Sequence, residues 1–205
     1  MKRVLVTGGT IRLGAAIAGR LRADGWQVVT SSHRPGAGAD FVADLTRPGA
    51  ADALFAACGR LDALVNNAAL FRGAPADLAA LNVGAPVRLM ALLEAQGGAV
   101  VNVLDTRVLG ATSADGDYAR TKAALLAETL RAARRSRPGF RVNAVAPGPV
   151  LAPVGVHEKA GALLAARPTE ADVAAAVAFL LATPSVTGAI LPVDGGQHLI
   201  PGRTA

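Results

Sequence analysis

The chain has 205 residues, 52% of them hydrophobic and 18% charged, with a formal charge of +6. That composition excludes a disordered chain, and the length suits one domain, residues 1–205, with a sizeable core. A single cysteine, Cys58, excludes an intramolecular disulfide and fits a reducing compartment.

The basic excess does not read as a nucleic-acid signal. Its arginines are scattered, and the one cluster, Arg131, Arg134, Arg135 and Arg137, closes a predicted helix, where cations complement the helix dipole. One Trp, one Tyr and five Phe are too few for a base-stacking platform. Apolar runs stop well short of the roughly 20 residues that span a bilayer. Thr7-Gly8-Gly9 cuts the apolar start short before it becomes an export signal. The expectation is a cytoplasmic protein with neither a membrane nor a nucleic acid as partner.

In chain order, residues 2–6 form a short buried strand, and a glycine-bearing turn over residues 7–14 follows at once. Leu13, Ala16, Ile17 and Leu21 then set a helical period that stops near Asp24-Gly25. Strand, turn and helix in this order make a dinucleotide-binding loop. Gly8 permits the tight turn, Gly14 the close approach of helix and strand, and the helix start offers N–H groups to a pyrophosphate. Arg12 stands where a third glycine is common, and its side chain extends towards a phosphate.

A second strand over residues 27–31 leads to His33 and Arg34, with no acid before Asp40. An NAD enzyme places an acid about 20 residues past the glycine loop, so this basic pair favours the 2′-phosphate of NADPH. Residues 40–45 read as a short strand ending in Asp44-Leu45, and a helix over 48–57 follows. A strand over 61–66 ends in Asn66-Asn67-Ala68-Ala69, whose small residues let a bound ring approach the backbone. Phe71, next in the loop, reads either as a stacking surface or as core filling.

A long helix carries Leu81, Val87, Leu89, Leu92 and Leu93, with Asn82 as a polar exception and Pro86 as a predicted bend. The run Ala99-Val-Val-Asn-Val-Leu104 makes a strand that delivers Asp105 to the sheet's carboxyl edge. Thirteen residues later Tyr118 begins a helix, with Lys122 one turn on and on the same face. An ammonium near a phenol favours the phenolate and lowers its pKa, making Tyr118 a usable proton donor and acceptor. A strand over 140–145 precedes Pro147-Gly148-Pro149, residues 150–168 suggest a lid, and Thr169 with Asp172 caps a further helix. A last strand ends at Asp194-Gly195-Gly196. The alternation predicts an α/β, Rossmann-type, doubly wound fold with a mostly parallel seven-stranded sheet and helices on both faces.

These motifs in this order resemble the short-chain dehydrogenase/reductase family over residues 2–199. The matching residues are the turn at 7–14, Asp44-Leu45, Asn66 to Ala69, Asn82, Tyr118-x-x-x-Lys122, Asn143, Pro147-Gly148 and Asp194-Gly195-Gly196. The resemblance implies NADP(H) held by Gly8, Thr10, Arg12, Leu13, Gly14, His33, Arg34, Asp44, Leu45, Asn67, Ala68, Ala69, Tyr118, Lys122, Pro147, Gly148 and Val150. It also implies that Lys122 holds the nicotinamide ribose, that Asn82 supports a water relay to Lys122, and that the chain is a homotetramer. Most members carry serine where Asp105 stands and glycine where Arg12 stands. Both departures, and Phe71, resemble the pteridine reductase branch that includes the dihydromonapterin reductases. There Asp105, Tyr118 and Lys122 would reduce a pterin stacked between Phe71 and the nicotinamide. Two alternatives stay open: a reductase of a carbonyl substrate, such as a 3-oxoacyl thioester or small ketone, and an NADPH-binding sensor without turnover.

Overall fold

A computed structural model describes residues 1–110, 116–150, 163–164 and 167–200. Seven strands make the sheet: β1 (Arg3–Thr7), β2 (Gln27–Ser32), β3 (Phe41–Val42), β4 (Ala63–Asn66), β5 (Gly98–Val103), β6 (Phe140–Pro147) and β7 (Ile190–Val193). Their order is β3-β2-β1-β4-β5-β6-β7, and every neighbouring pair is parallel.

Alternation along the strands sorts the core into two layers. Leu5, Leu64, Val100 and Val142 face helices α2 (Ala50–Cys58) and α4 (Ala85–Gln96), meeting Leu54, Phe55, Leu89 and Leu93. Val4, Val6, Val65, Val101 and Val145 face the opposite way. They meet Ile17 and Leu21 of α1 (Arg12–Ala23) and Val173, Val177 and Leu181 of α6 (Glu170–Ala182). Helices on both faces bury β1, β4, β5 and β6 on both sides, which is why they read as largely apolar runs, broken by the buried Asn66, Asn102 and Asn143. The predicted cap of α6 is a full capping box: Thr169 Oγ1 accepts from the Asp172 N–H, and Asp172 accepts from the Thr169 N–H.

The third strand is shorter than expected. Asp40 is drawn off it to accept from Thr30 N and Oγ1, both at 2.8 Å, and Asp44 folds into a turn by accepting from Thr46 N at 3.1 Å. Only Phe41 and Val42 are left to pair with β2.

The long helix departs from expectation at its middle. α3 (Pro75–Ala79) passes through a wide π turn, Ala80–Gly84, into α4. Pro86 has no N–H to give to the carbonyl of Asn82, so the ordinary helical bond fails there and the preceding turn widens. Pro75–Gln96 is thus a 22-residue rod of mean hydropathy 1.4, long and apolar enough to cross a membrane, contrary to the sequence expectation. Leu78, Leu89 and Leu93 are nevertheless buried inside the fold, which makes it a core helix. Most of the predicted lid over 150–168 lies outside the described residues.

Candidate active site

The strand order reverses between β1 and β4, so their carboxyl ends and the loops that follow open a crevice. A cleft of about 690 Å³ fills it. Gly8, Thr10, Arg12, Leu13, Gly14, His33, Arg34, Asp44, Leu45, Asn67, Ala68 and Ala69 line it, with Ser31, Ser32 and Leu70, which the sequence reading missed. Pro147, Gly148 and Val150 do not line it; Pro147 ends β6, and just after it the Val150 N–H turns back to the Gly148 carbonyl at 2.8 Å.

The turn has little room for other residues. A Cβ on Gly14 would lie 2.0 Å from the Gly8 carbonyl oxygen and 2.6 Å from Asn67 Nδ2. Arg12 has φ 50°, the one positive value at a non-glycine position among the described residues. Glycine adopts that conformation freely, whereas an arginine in it costs about 1 kcal/mol. The turn is keyed to the end of β4: Thr7 Oγ1 accepts from Asn67 N at 3.0 Å and Ala68 N at 3.1 Å. Asn67 Nδ2 in return donates to the carbonyls of Thr7 at 3.0 Å and Gly8 at 3.1 Å. Thr7 was not singled out from sequence, because a threonine at a strand end carries no signal by itself.

At the end of β2 the cleft wall is basic. Arg34 donates from Nε to His33 Nε2 at 3.3 Å and from its N–H to Ser32 Oγ at 3.1 Å. Asp40 is committed to Thr30, so it does not supply the ribose-binding acid that an NAD site needs. On the facing wall, hydrogen bonds from Thr46 and the Arg47 ion pair hold the Asp44 carboxyl below its usual range.

The reactive groups gather next to the cleft, where β5 ends. Asp105 caps a 3-10 turn, Thr106–Val108, by accepting from Arg107 N at 2.9 Å. Tyr118 and Lys122 come from the first turns of α5 (Asp117–Ala133). The Asp105 carboxylate lies close enough to the phenol for its charge to act on it. Burial, then the Asp105 charge, raises the Tyr118 pKa, and the Arg107 guanidinium opposes the rise only in part. This reverses the expectation that Lys122 lowers it. The Lys122 amine lies 5.7 Å from the centre of the phenol ring and donates to the Val103 carbonyl at 2.7 Å. Burial pulls the Lys122 pKa down to about 8, against the opposing pull of Asp105.

Phe71 is 55% exposed, which excludes core filling. Its ring leans on that of Tyr118, with centroids 4.9 Å apart and planes at 59°. Asn82 is fully buried, and its side chain is spent on positioning: Oδ1 accepts from Leu70 N at 2.8 Å, while Nδ2 donates to Leu70 O and Thr121 Oγ1, both at 2.9 Å. It therefore pins the loop that carries Phe71 to the helix that carries Tyr118. Its side chain does not bond Lys122, and Thr121, which sequence reading passed over, is the link. Asp194 is also buried; it accepts from Thr106 Oγ1 and from the His198 N–H at 2.9 Å, tying the C-terminal segment to the Asp105 turn.

A family model described as Enoyl-(Acyl carrier protein) reductase matches residues 12–198. The 3beta-hydroxysteroid dehydrogenase 1 of Eggerthella lenta is 32% identical, with 98% of this chain and 95% of that protein covered. A dihydromonapterin reductase of Escherichia coli is 31% identical, with 96% of each chain covered. Among solved structures, FolM alternative dihydrofolate reductase 1 from Brucella suis, in complex with NADP, superposes with a TM-score of 0.83 at 31% identity, covering 97% of this chain and 96% of that one. The parallel seven-stranded sheet, the glycine turn at its reversal point and the Tyr118–Lys122 pair beside it are the features such a match requires, and the chain belongs to the short-chain dehydrogenase/reductase family of oxidoreductases.

Proposed function

We propose that the chain is an NADPH-dependent reductase of a pterin-type substrate. The observation that carries this reading is the meeting of an acid, a phenol and an aromatic ring at one mouth: the charge of Asp105 acts on the Tyr118 phenol, and the Phe71 ring lies 4.9 Å from that of the phenol. Ordinary carbonyl reduction needs a neutral donor beside the tyrosine, and an ionised aspartate only accepts. A pterin presents ring N–H and amino donors, which Asp105 can accept.

The cleft suits a dinucleotide. Gly14 leaves no space for a side chain where the turn meets α1, and the first N–H groups of α1 face a pyrophosphate. Arg12 and Arg34 are the cations for a 2′-phosphate, with His33 beside Arg34, and Ala68 and Ala69 leave room beside the backbone. When bound, the reduced nicotinamide supplies the hydride. Tyr118, kept protonated by burial, gives its proton to the substrate ring nitrogen. Asp105 orients the substrate and accepts its donors. Lys122, which donates to the Val103 carbonyl, would hold the ribose hydroxyls of the bound cofactor. Asn82 acts as a positioning residue, and its backbone carbonyl, which Pro86 cannot bond, is the group available to a water relay towards Lys122.

A second reading, reduction of a carbonyl substrate, is favoured by the 32% identity to a hydroxysteroid dehydrogenase. Oxidation of NADPH with dihydropterin or dihydrofolate, run beside a small ketone and a 3-oxoacyl thioester, separates the two. Turnover of the ketone or thioester alone overturns the pterin assignment. We further propose a homotetramer built through the faces of α4 and α5, checked by light scattering; a monomeric mass overturns it.

A further inference from the structure

Phe71 is exposed, yet two guanidiniums lie against it. Arg72 is 5.9 Å and Arg107 5.7 Å from its centroid, and Arg107 is also 5.9 Å from the centroid of Tyr118. Rings of this kind hold the plane of a guanidinium without neutralising its charge. The one carboxylate paired with Arg107 among the described residues is Asp105, at 3.8 Å, longer than a charge-assisted hydrogen bond. The mouth thus sets one carboxylate against two exposed-side arginines, with the amine of Lys122 buried behind.

The chemistry proposed for the site does not use this surplus. A neutral flat ring is served by Asp105 and Phe71, and its proton by Tyr118. Arg107 is moreover fixed in place: it stands two residues after Asp105 on the same 3-10 turn, and Thr106 between them is bonded to buried Asp194. A rigid turn therefore presents an acceptor towards the reacting ring and a forked donor towards the mouth.

We infer that Arg107, assisted by Arg72, is a specificity residue that selects substrates bearing a carboxylate or phosphate beyond the flat reacting ring. The inference rests on the pterin reading above. An anion attached to the ring passes Phe71 on its way out of the site and meets the Arg107 fork there. Arg107 meets Asp105 only at 3.8 Å, so its fork can turn to such an anion.

The test is calorimetric binding to the NADP-loaded protein, which does not depend on turnover. Three ligands share the ring: methotrexate, which carries two carboxylates; neutral 2,4-diamino-6-hydroxymethylpteridine; and the phosphate ester of that alcohol. The anionic ligands bind about tenfold or more tightly than the neutral one, and whichever of the two binds better identifies carboxylate or phosphate as the group selected. Arg107→Gln removes most of that advantage, and Arg107→Lys, which keeps charge but not the fork, restores part of it. Should either variant fold poorly, salt titration of the unaltered protein reads the same interaction: added salt weakens the anionic ligands more than the neutral one. Equal binding of all three ligands, equal loss across them in Arg107→Gln, or no binding by any of them overturns the inference. Selective binding with no NADPH oxidation by the corresponding dihydropterins leaves it standing and overturns the proposed reaction instead.

Discussion

The Asp105 carboxylate faces the Tyr118 phenol, and burial first, then that negative charge, makes the phenol a reluctant acid in the free protein. In the reaction proposed above, substrate donors that engage Asp105 offset its charge beside Tyr118, which makes the phenol a readier proton donor. Tyr118→Phe removes the proton source. It is expected to lower kcat by about a thousandfold while leaving the Kd for NADPH within a few-fold, measured by fluorescence titration. Turnover unaltered in this variant refutes the role.

Asp105→Ser replaces an acceptor with a hydroxyl that both donates and accepts. The expected outcome is a fall of about a hundredfold in kcat/KM for a dihydropterin and a gain for a small ketone, read from the same NADPH assay. A parallel fall for both substrates points to damage at the turn.

Arg12 yields a prediction in which stability and binding part company. Arg12→Gly relieves the left-handed conformation and Arg12→Ala keeps it, so the glycine variant should be more stable than the alanine variant by about 1 kcal/mol in thermal unfolding. Both lose the guanidinium, and both should bind NADPH about tenfold more weakly.

Arg34→Asp places an acid where the cleft wall is now basic. Preference for NADPH over NADH should fall by about a hundredfold, chiefly through KM for NADPH. Retained preference shifts the 2′-phosphate to Arg12.

Lys122 links stability to pH. Its pKa falls from 10.5 to about 8 on folding, so between those values the unfolded chain holds a proton that the folded one has released. Stability should therefore rise with pH across this window. Lys122→Met removes both the buried charge and the rise. It should be more stable than the parent by about 1–2 kcal/mol near pH 7, after allowance for the lost bond to Val103, with the advantage vanishing towards pH 10. Urea titrations at several pH values read this directly.

The sheet was legible because its inner strands are buried on both sides, and a short apolar run such as Ala63-Leu64-Val65 suits few places but the middle of a sheet. The cofactor turn was legible because Gly8 and Gly14 answer steric demands that no other residue meets. What stayed hidden depended on partners far along the chain. The acidity of Tyr118 is set by burial and by Asp105, thirteen positions away, whereas a helix repeat shows only Lys122. The positioning role of the Asn82 side chain stayed hidden because its partners, Leu70 and Thr121, carry no distinguishing pattern. Arg107 escaped notice as one arginine among many until its two aromatic neighbours came into view.

The widened turn at Ala80–Gly84 has a bearing on how this chain tolerates length changes. Each residue of an α-helix advances the direction of its side chains by about 100°, at 3.6 residues per turn. Deleting one residue from 80–84 would let the rod close into regular α-helix, keeping α3 and α4 nearly in phase but turning the side chains inside the turn, Asn82 among them, to new directions. Asn82 could then no longer reach both Leu70 and Thr121, and Phe71 would drift from Tyr118 although no atom at the mouth had been altered. A helical irregularity thus aims the one side chain that couples a loop to a helix.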